Sequence, residues 1–224
     1  HDLRTPLTSI LGYVDLLKQN GFEDKEKFVE YISIIDERSK SLNTLINELF
    51  EYTKLNSHDI KLNYSTVEIC SLVEQLSGEY SLIFKKEGLE LISEIPEEDI
   101  FVDIDIQMIV RALENLLINA KKYSVRNSQV LVKLLQESND IVISVENKVE
   151  NISHADLDNL FERFYKVDKA RKTGDSTGLG LSIVKRVVEL HKGLVKAELI
   201  NGVIKFKIIG PQIGRAVQQE CRDR

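Results

Sequence analysis

Asn115 and Asn119 stand four residues apart in Arg111-Ala-Leu-Glu-Asn115-Leu-Leu-Ile-Asn119-Ala-Lys-Lys122-Tyr123. If that stretch is helical, both carboxamides leave it on one face. Their oxygens suit Mg²⁺, a hard cation that keeps water and phosphate oxygens as its other ligands. Lys122 falls on the same side and can neutralise phosphate charge, and Tyr123 can pack against a nucleotide. Two asparagines on a helix can also be plain surface residues. The apolar bulk of Leu113, Leu116, Leu117 and Ile118 around them favours the functional alternative.

A second candidate is the run Gly174-Asp-Ser-Thr-Gly178-Leu179-Gly180-Leu181, which opens an amphipathic pattern over 179–191. Glycines let backbone amides approach phosphate, and a helix N-terminus favours negative charge. A third is His1, which begins an apolar stripe while lying off its face. A neutral imidazole is a competent nucleophile near pH 7. Asp2 can accept the other ring proton, and Thr5, one helical turn on, can hold a water or hydroxyl beside it. Pro6 removes an amide donor and is expected to kink the helix there. Taken alone, a terminal His is more often solvated than catalytic.

These groups need elements to position them. Leu3, Leu7, Ile10, Val14 and Leu17 recur at helical spacing up to Asn20-Gly21, a stop signal. Phe28, Ile32, Ile35, Leu42, Ile46 and Leu49 mark a second helix. Two such stripes exceed what each helix can bury on the other, so residues 1–56 read as a hairpin that dimerises into a four-helix bundle. Residues 57–63 are polar and read as a linker. Beyond it the pattern predicts strands at 64–69, 89–95, 99–103, 129–136 and 140–146, with helices at 70–86, 105–124, 154–163 and 179–191. A closing hairpin at 194–208 turns at Asn201-Gly202. Strands with helices grouped between them imply an α+β two-layer sandwich over 64–210. The tail 211–224 has little apolar content and is expected to fray.

The composition narrows the function further. A net charge of −6 and a pI near 5.4, with no dense basic run, argue against a nucleic-acid partner. No window approaches the roughly 18 consecutive apolar residues of a membrane span. The opening at His1, directly in a helical pattern, is expected to be a cut inside a longer protein, leaving that helix end frayed. Cys70 and Cys221 are too far apart to form a metal signature, and Cys70 reads as a small apolar helix residue. His58 and His154 read as solvated.

The boxes together resemble the sensor histidine kinases of two-component systems. His1-Asp-Leu-Arg-Thr-Pro-Leu-Thr is similar to that family's phosphoacceptor box, and the Asn115–Ser124 segment to its N box. Phe161-Glu-Arg-Phe-Tyr165 is similar to the F box, and Gly178-Leu-Gly180 to the G2 box. The resemblance implies a Bergerat-type (GHKL) ATP-binding domain, with ATP and Mg²⁺ as cofactors and Asn119 holding the metal. His1 would be the phosphorylated residue, with Asp2 assisting as base and Thr5 serving dephosphorylation of a partner. Arg171, within the lid at 166–177, would contact the γ-phosphate. The implied partners are a response regulator receiver domain and a second copy of the chain, in the cytoplasmic portion of a bacterial membrane sensor. His191 matches a common family position and is expected to cap or pack.

One box departs. Where the family has Asp-x-Gly-x-Gly, this chain reads Asn147-Lys-Val149-Glu-Asn151. That variant resembles a Firmicutes subset that includes the vancomycin-resistance sensor kinases, apart from Val149. Loss of the charge and of both glycines is expected to alter nucleotide binding without abolishing it. The alternative is a docking or phosphatase module whose loop no longer binds ATP.

Overall fold

The computed structural model describes residues 3–20, 24–57, 60–137, 140–167 and 177–210. Helices α1 (Arg4–Asn20) and α2 (Lys25–Leu55) pack on each other as a hairpin, with the Tyr13 and Tyr31 rings 5.4 Å apart. Pro6 lies in the first turn of α1, where a missing N–H leaves no intrahelical bond unmade. Asp24 caps α2 by accepting from the amides of Glu26 and Lys27. A long apolar surface of the hairpin stays uncovered: Leu7, Leu11, Val29, Ile32 and Phe50 are all exposed.

The rest of the described chain builds two layers. Strands β2 (Glu90–Glu94), β4 (Gln129–Glu137), β5 (Asp140–Lys148), β6 (Leu194–Ile200) and β7 (Val203–Gly210) form one sheet in the order β2-β4-β5-β7-β6. Only β2–β4 is parallel. Strands β1 (Ser65–Glu68) and β3 (Phe101–Ile104) pair separately, antiparallel. Helices α3 (Ile69–Lys86), α4 (Ile106–Tyr123) and α6 (Gly180–Leu190) supply the other layer. Strand alternation sends Val130, Val132, Leu134, Ile141, Ile143, Val145, Ile204, Phe206 and Ile208 to the helical side, all buried. The opposite face carries Lys133–Glu94, Lys205–Glu146 and Lys207–Glu198 ion pairs. The expected two-layer α+β sandwich is what forms.

Two local expectations change. The helix predicted over 154–163 is only α5 (His154–Leu157). From there Asn159, Leu160, Glu162 and Tyr165 bond to carbonyls three residues back, the tighter turn that redirects the chain. The loop after β5 keeps a glycine-like shape without glycine. Asn151 adopts φ 60°, a left-handed conformation that Asn tolerates better than most residues, and Val149 N–H donates to Gly202 O at 2.9 Å. Asn201 and Gly202, both at positive φ, form the expected hairpin turn.

Cys70 is buried and donates to Glu98 O, and burial, then the charge of Glu68, pushes its thiol up to about 11. It packs, as its sequence setting suggests. Among the described residues no helix is long and apolar enough to cross a membrane, and no cluster of metal-ligating side chains forms.

His191 is the C-cap of α6 and fully buried. Its Nε2 accepts from Asp105 N–H at 3.1 Å, so Nδ1 carries the proton and donates to Val187 O at 2.9 Å. Asp105 in turn caps α4 through Met108 N–H and ties down Asn63 N–H. Burial lowers the His191 pKa, against smaller opposing effects of the Val187 bond and Asp105. Neutral His191 therefore contributes stability that is present above its unfolded pKa of about 6.5 and lost as pH falls below it. Between pH 7.5 and 5.5 the melting temperature should drop further for the native chain than for His191→Gln, at about 2–4 °C per kcal/mol. Equal drops in thermal melts at the two pH values would refute this.

Candidate functional site

Helix α4 buries Ile109, Ala112, Leu113, Leu116, Leu117 and Ala120 against the sheet. That choice of face sets Asn115, Asn119 and Lys122 at the half-buried flank, while Tyr123 at the helix end is 45 % exposed. One N–H of the Asn115 amide is committed to the helix, because Nδ2 donates to Arg111 O at 2.9 Å. Its Oδ1 faces Gly180: a β-carbon there would lie 2.9 Å away. The asparagine face of α4 and the glycine loop before α6 therefore meet side by side. The Asn119 side chain forms no hydrogen bond among the described residues and keeps its oxygen available. The Lys122 ammonium lies 5.9 Å from the Tyr123 ring centroid.

The glycine loop is built by close backbone packing. Gly178 has φ 73°, and its carbonyl accepts from Phe164 N–H at 2.9 Å. A β-carbon on Gly178 would sit 2.8 Å from the Phe164 backbone, an impossible contact. Phe164 itself takes φ 60°, rare for an aromatic residue. Thr177 Oγ1 accepts from Leu179 N–H at 3.2 Å and donates to Glu48 on α2. Leu179 is fully buried and Leu181 half-buried, so both anchor the loop to the core. Of the other aromatics, Phe161 packs edge-on against Phe206, and Tyr165 donates to Asp156 at 2.6 Å.

Asn147 is the unusual group. It lies on the inner face of β5 at 1 % exposure, and neither Oδ1 nor Nδ2 has a hydrogen-bond partner among the described residues. Leaving a buried polar group unpaired costs about 1–3 kcal/mol. Such an amide on the inner face of β5, the strand against which α4 packs, fits a polar ligand that both donates and accepts.

Two family models match the chain. Residues 1–58 match the His Kinase A (phospho-acceptor) domain, and residues 104–211 match the histidine kinase-, DNA gyrase B- and HSP90-like ATPase. The chain belongs to the histidine kinases. It is 32 % identical over 206 residues to the sensor histidine kinase WalK of Bacillus subtilis, covering 90 % of this chain and 33 % of that protein. To the sensor protein VanSC of Enterococcus gallinarum it is 34 % identical over 213 residues, covering 95 % and 58 %. This histidine kinase chain thus spans between a third and three fifths of the length of these curated relatives. Histidine kinase ThkA in complex with response regulator protein TrrA has a similar fold, at TM-score 0.78 and 24 % identity over 95 % of this chain and 59 % of that one. Acinetobacter baumannii histidine kinase AdeS reaches 0.72 at 22 % identity, covering 95 % and 98 %.

Among the residues expected in the site, His1, Asp2 and Arg171 lie outside the described residues, and Thr5 is an exposed residue of α1. Asn115 meets Gly180 at the start of α6, with Gly178 and Leu179 on the loop just before it and Leu181 in the first turn of the helix. Sequence reading missed the ties between α2 and the rest of the chain: Glu48 to Thr177, Glu51 to Arg111 at 2.5 Å, Tyr52 under Arg163 at 4.9 Å, and Leu55 O accepting from Arg186 at 3.0 Å. Partners separated by 60 to 131 positions leave no periodic signal.

Gly178→Ala should cost at least about 1–2 kcal/mol from the left-handed backbone alone, with the Phe164 clash added. Gly12→Ala, in the middle of α1 with open space around it, should instead stabilise by roughly 0.8–1 kcal/mol. Urea unfolding of both variants tests this pair. A Gly178→Ala chain as stable as the parent would overturn the packing argument.

Proposed function

We propose that this chain is the kinase portion of a membrane-anchored bacterial sensor, acting on the cytoplasmic side as a homodimer. It takes the γ-phosphoryl group of ATP onto His1 and passes it to an aspartate of a response regulator receiver domain. The observation that carries the reading is the buried Asn147 amide on the inner face of β5, without a partner among the described residues, together with a glycine loop built against Asn115. An adenine edge both donates and accepts, which is what that amide lacks. The left-handed Asn151 supports a working base loop over a degenerate one.

In this reading Asn147 orients the base and Tyr123 packs beside it. The amides of Gly178, Gly180 and Leu181 face the phosphates, with Leu179 N–H held by Thr177 to shape the loop, and Lys122 and Arg171 neutralise their charge. Asn119 would hold Mg²⁺ through its oxygen, with Asn115 next to it, and the ion would supply neutralisation of phosphate charge. A ring nitrogen of His1 forms the N–P bond as the bond from the γ-phosphorus to the bridging oxygen breaks. ADP leaves, and Asp2 takes up the ring proton. Thr5 serves the reverse dephosphorylation of the regulator. Positioning and electrostatics supply most of the acceleration.

Two features of the hairpin support these assignments. Extending the antiparallel register from Tyr13–Tyr31 at 1.5 Å per residue brings the start of α1 about level with Lys40 on α2. The ATP-binding layers grip α2 only a few turns beyond, at Glu48, Glu51, Tyr52 and Leu55. The uncovered Leu7, Leu11, Val29 and Phe50 offer an apolar face for a second hairpin.

Incubation with [γ-³²P]ATP and Mg²⁺, using a chain extended upstream of His1, should give acid-labile, base-stable label that is absent from His1→Gln. Asn119→Ala should slow labelling by at least about 10–100-fold, the range seen even for indirect metal partners. Equal labelling of His1→Gln would remove His1 from the mechanism.

A further inference from the structure

We propose that Asn147 makes the base site tolerant of the purine 6-substituent, so that hypoxanthine and guanine nucleotides bind alongside adenine nucleotides. This rests on the reading of the β5–α4 face as the base site and adds a specificity to it.

Directly across the ladder from Asn147 stand Val130 on β4 and Ile204 on β7, both buried and apolar. The preceding inward residue of β5, Val145, is apolar too. None of them offers a donor or acceptor to hold the amide one way round. Consistently, Oδ1 and Nδ2 both lack a partner among the described residues. The rotation that exchanges the two atoms is therefore not fixed by any hydrogen bond within the described protein.

The ligand chemistry supplies the rest. Adenine presents a 6-amino donor next to the N1 acceptor. Hypoxanthine and guanine present the reverse, a 6-oxo acceptor next to an N1–H donor. A primary carboxamide carries an acceptor and a donor side by side. In one orientation Oδ1 matches the 6-amino group and Nδ2 matches N1. Turned over, Nδ2 matches the 6-oxo group and Oδ1 matches N1–H. A carboxylate at this position only accepts, and it would set a negative oxygen against the 6-oxo group. An acidic residue there discriminates between the two purine edges, whereas Asn147 satisfies either one.

Binding constants for ATP, ITP and GTP, each with Mg²⁺, can be measured calorimetrically on the 224-residue chain and on Asn147→Asp. For the native chain ITP should bind within about fivefold of ATP. Guanine adds a 2-amino group, so the hypoxanthine nucleotide is the decisive comparison. Asn147→Asp should then prefer ATP over ITP by more than about tenfold, because a mismatched buried hydrogen-bonding group is strongly rejected. A melting curve on the variant confirms that it is folded, and the native ATP-to-ITP ratio stands on its own if it is not. Saturable ATP binding with ITP more than about 100-fold weaker in the native chain would overturn the proposal and leave the base-site reading intact. Equal tolerance in a folded Asn147→Asp would remove Asn147 as its cause. No saturable binding of ATP at all would overturn the base-site reading itself.

Discussion

Burial of one face of α4 against the inner surface of the sheet constrains everything else in this molecule. Ile109, Ala112, Leu113, Leu116, Leu117 and Ala120 are nearly inaccessible. A helix sealed along that stripe has no freedom to rotate, so Asn115, Asn119 and Lys122 must stand at its flank. The seal is pinned at its start by the Asp105 cap, and Asp105 is held in place by neutral His191 at the end of α6. One buried imidazole thus couples the helix bearing the asparagines to the helix that follows the glycine loop.

The glycine loop is the second consequence. Gly180 is pressed against Asn115 and Gly178 against the backbone of Phe164, so neither contact leaves room for a side chain. The unfavourable left-handed backbone of Phe164 persists because its N–H reaches Gly178 O and the flanking residues are tied down. Thr177 connects this loop to Glu48, so the hairpin and the loop are mechanically linked. The four ties between α2 and the ATP-binding layers are polar, partly exposed and individually weak. Such a contact can be remade at modest cost.

Much of this was legible in the residues because it depends on short-range regularities. Period 3.6 marked α1, α2, α3, α4 and α6, and alternation or apolar runs marked the strands. Asn201-Gly202 announced its turn, and the Asn115–Asn119 spacing announced a shared face. The helix expected over 154–163 stopped at Leu157 because tertiary ties at Tyr165 and Phe164 favoured tighter turns over continuation. Replacement of glycine by Asn151 looked damaging in sequence, yet asparagine tolerates the same left-handed backbone.

What the sequence by itself determined was the inventory and the order: an acceptor hairpin, then a two-layer sandwich carrying paired amides and a glycine loop. Those features depend on local spacing and intrinsic backbone preference, which a linear string records. Only the tertiary structure decided which groups meet and which are left wanting. Asn115 became committed to Arg111 and Gly180, and Glu48 found Thr177 across 129 positions. Asn147 was enclosed between valine and isoleucine with neither end of its amide satisfied among the described residues. Burial and pairing across long separations are properties of the packed chain, and an unpaired amide becomes costly only once water has been excluded from it.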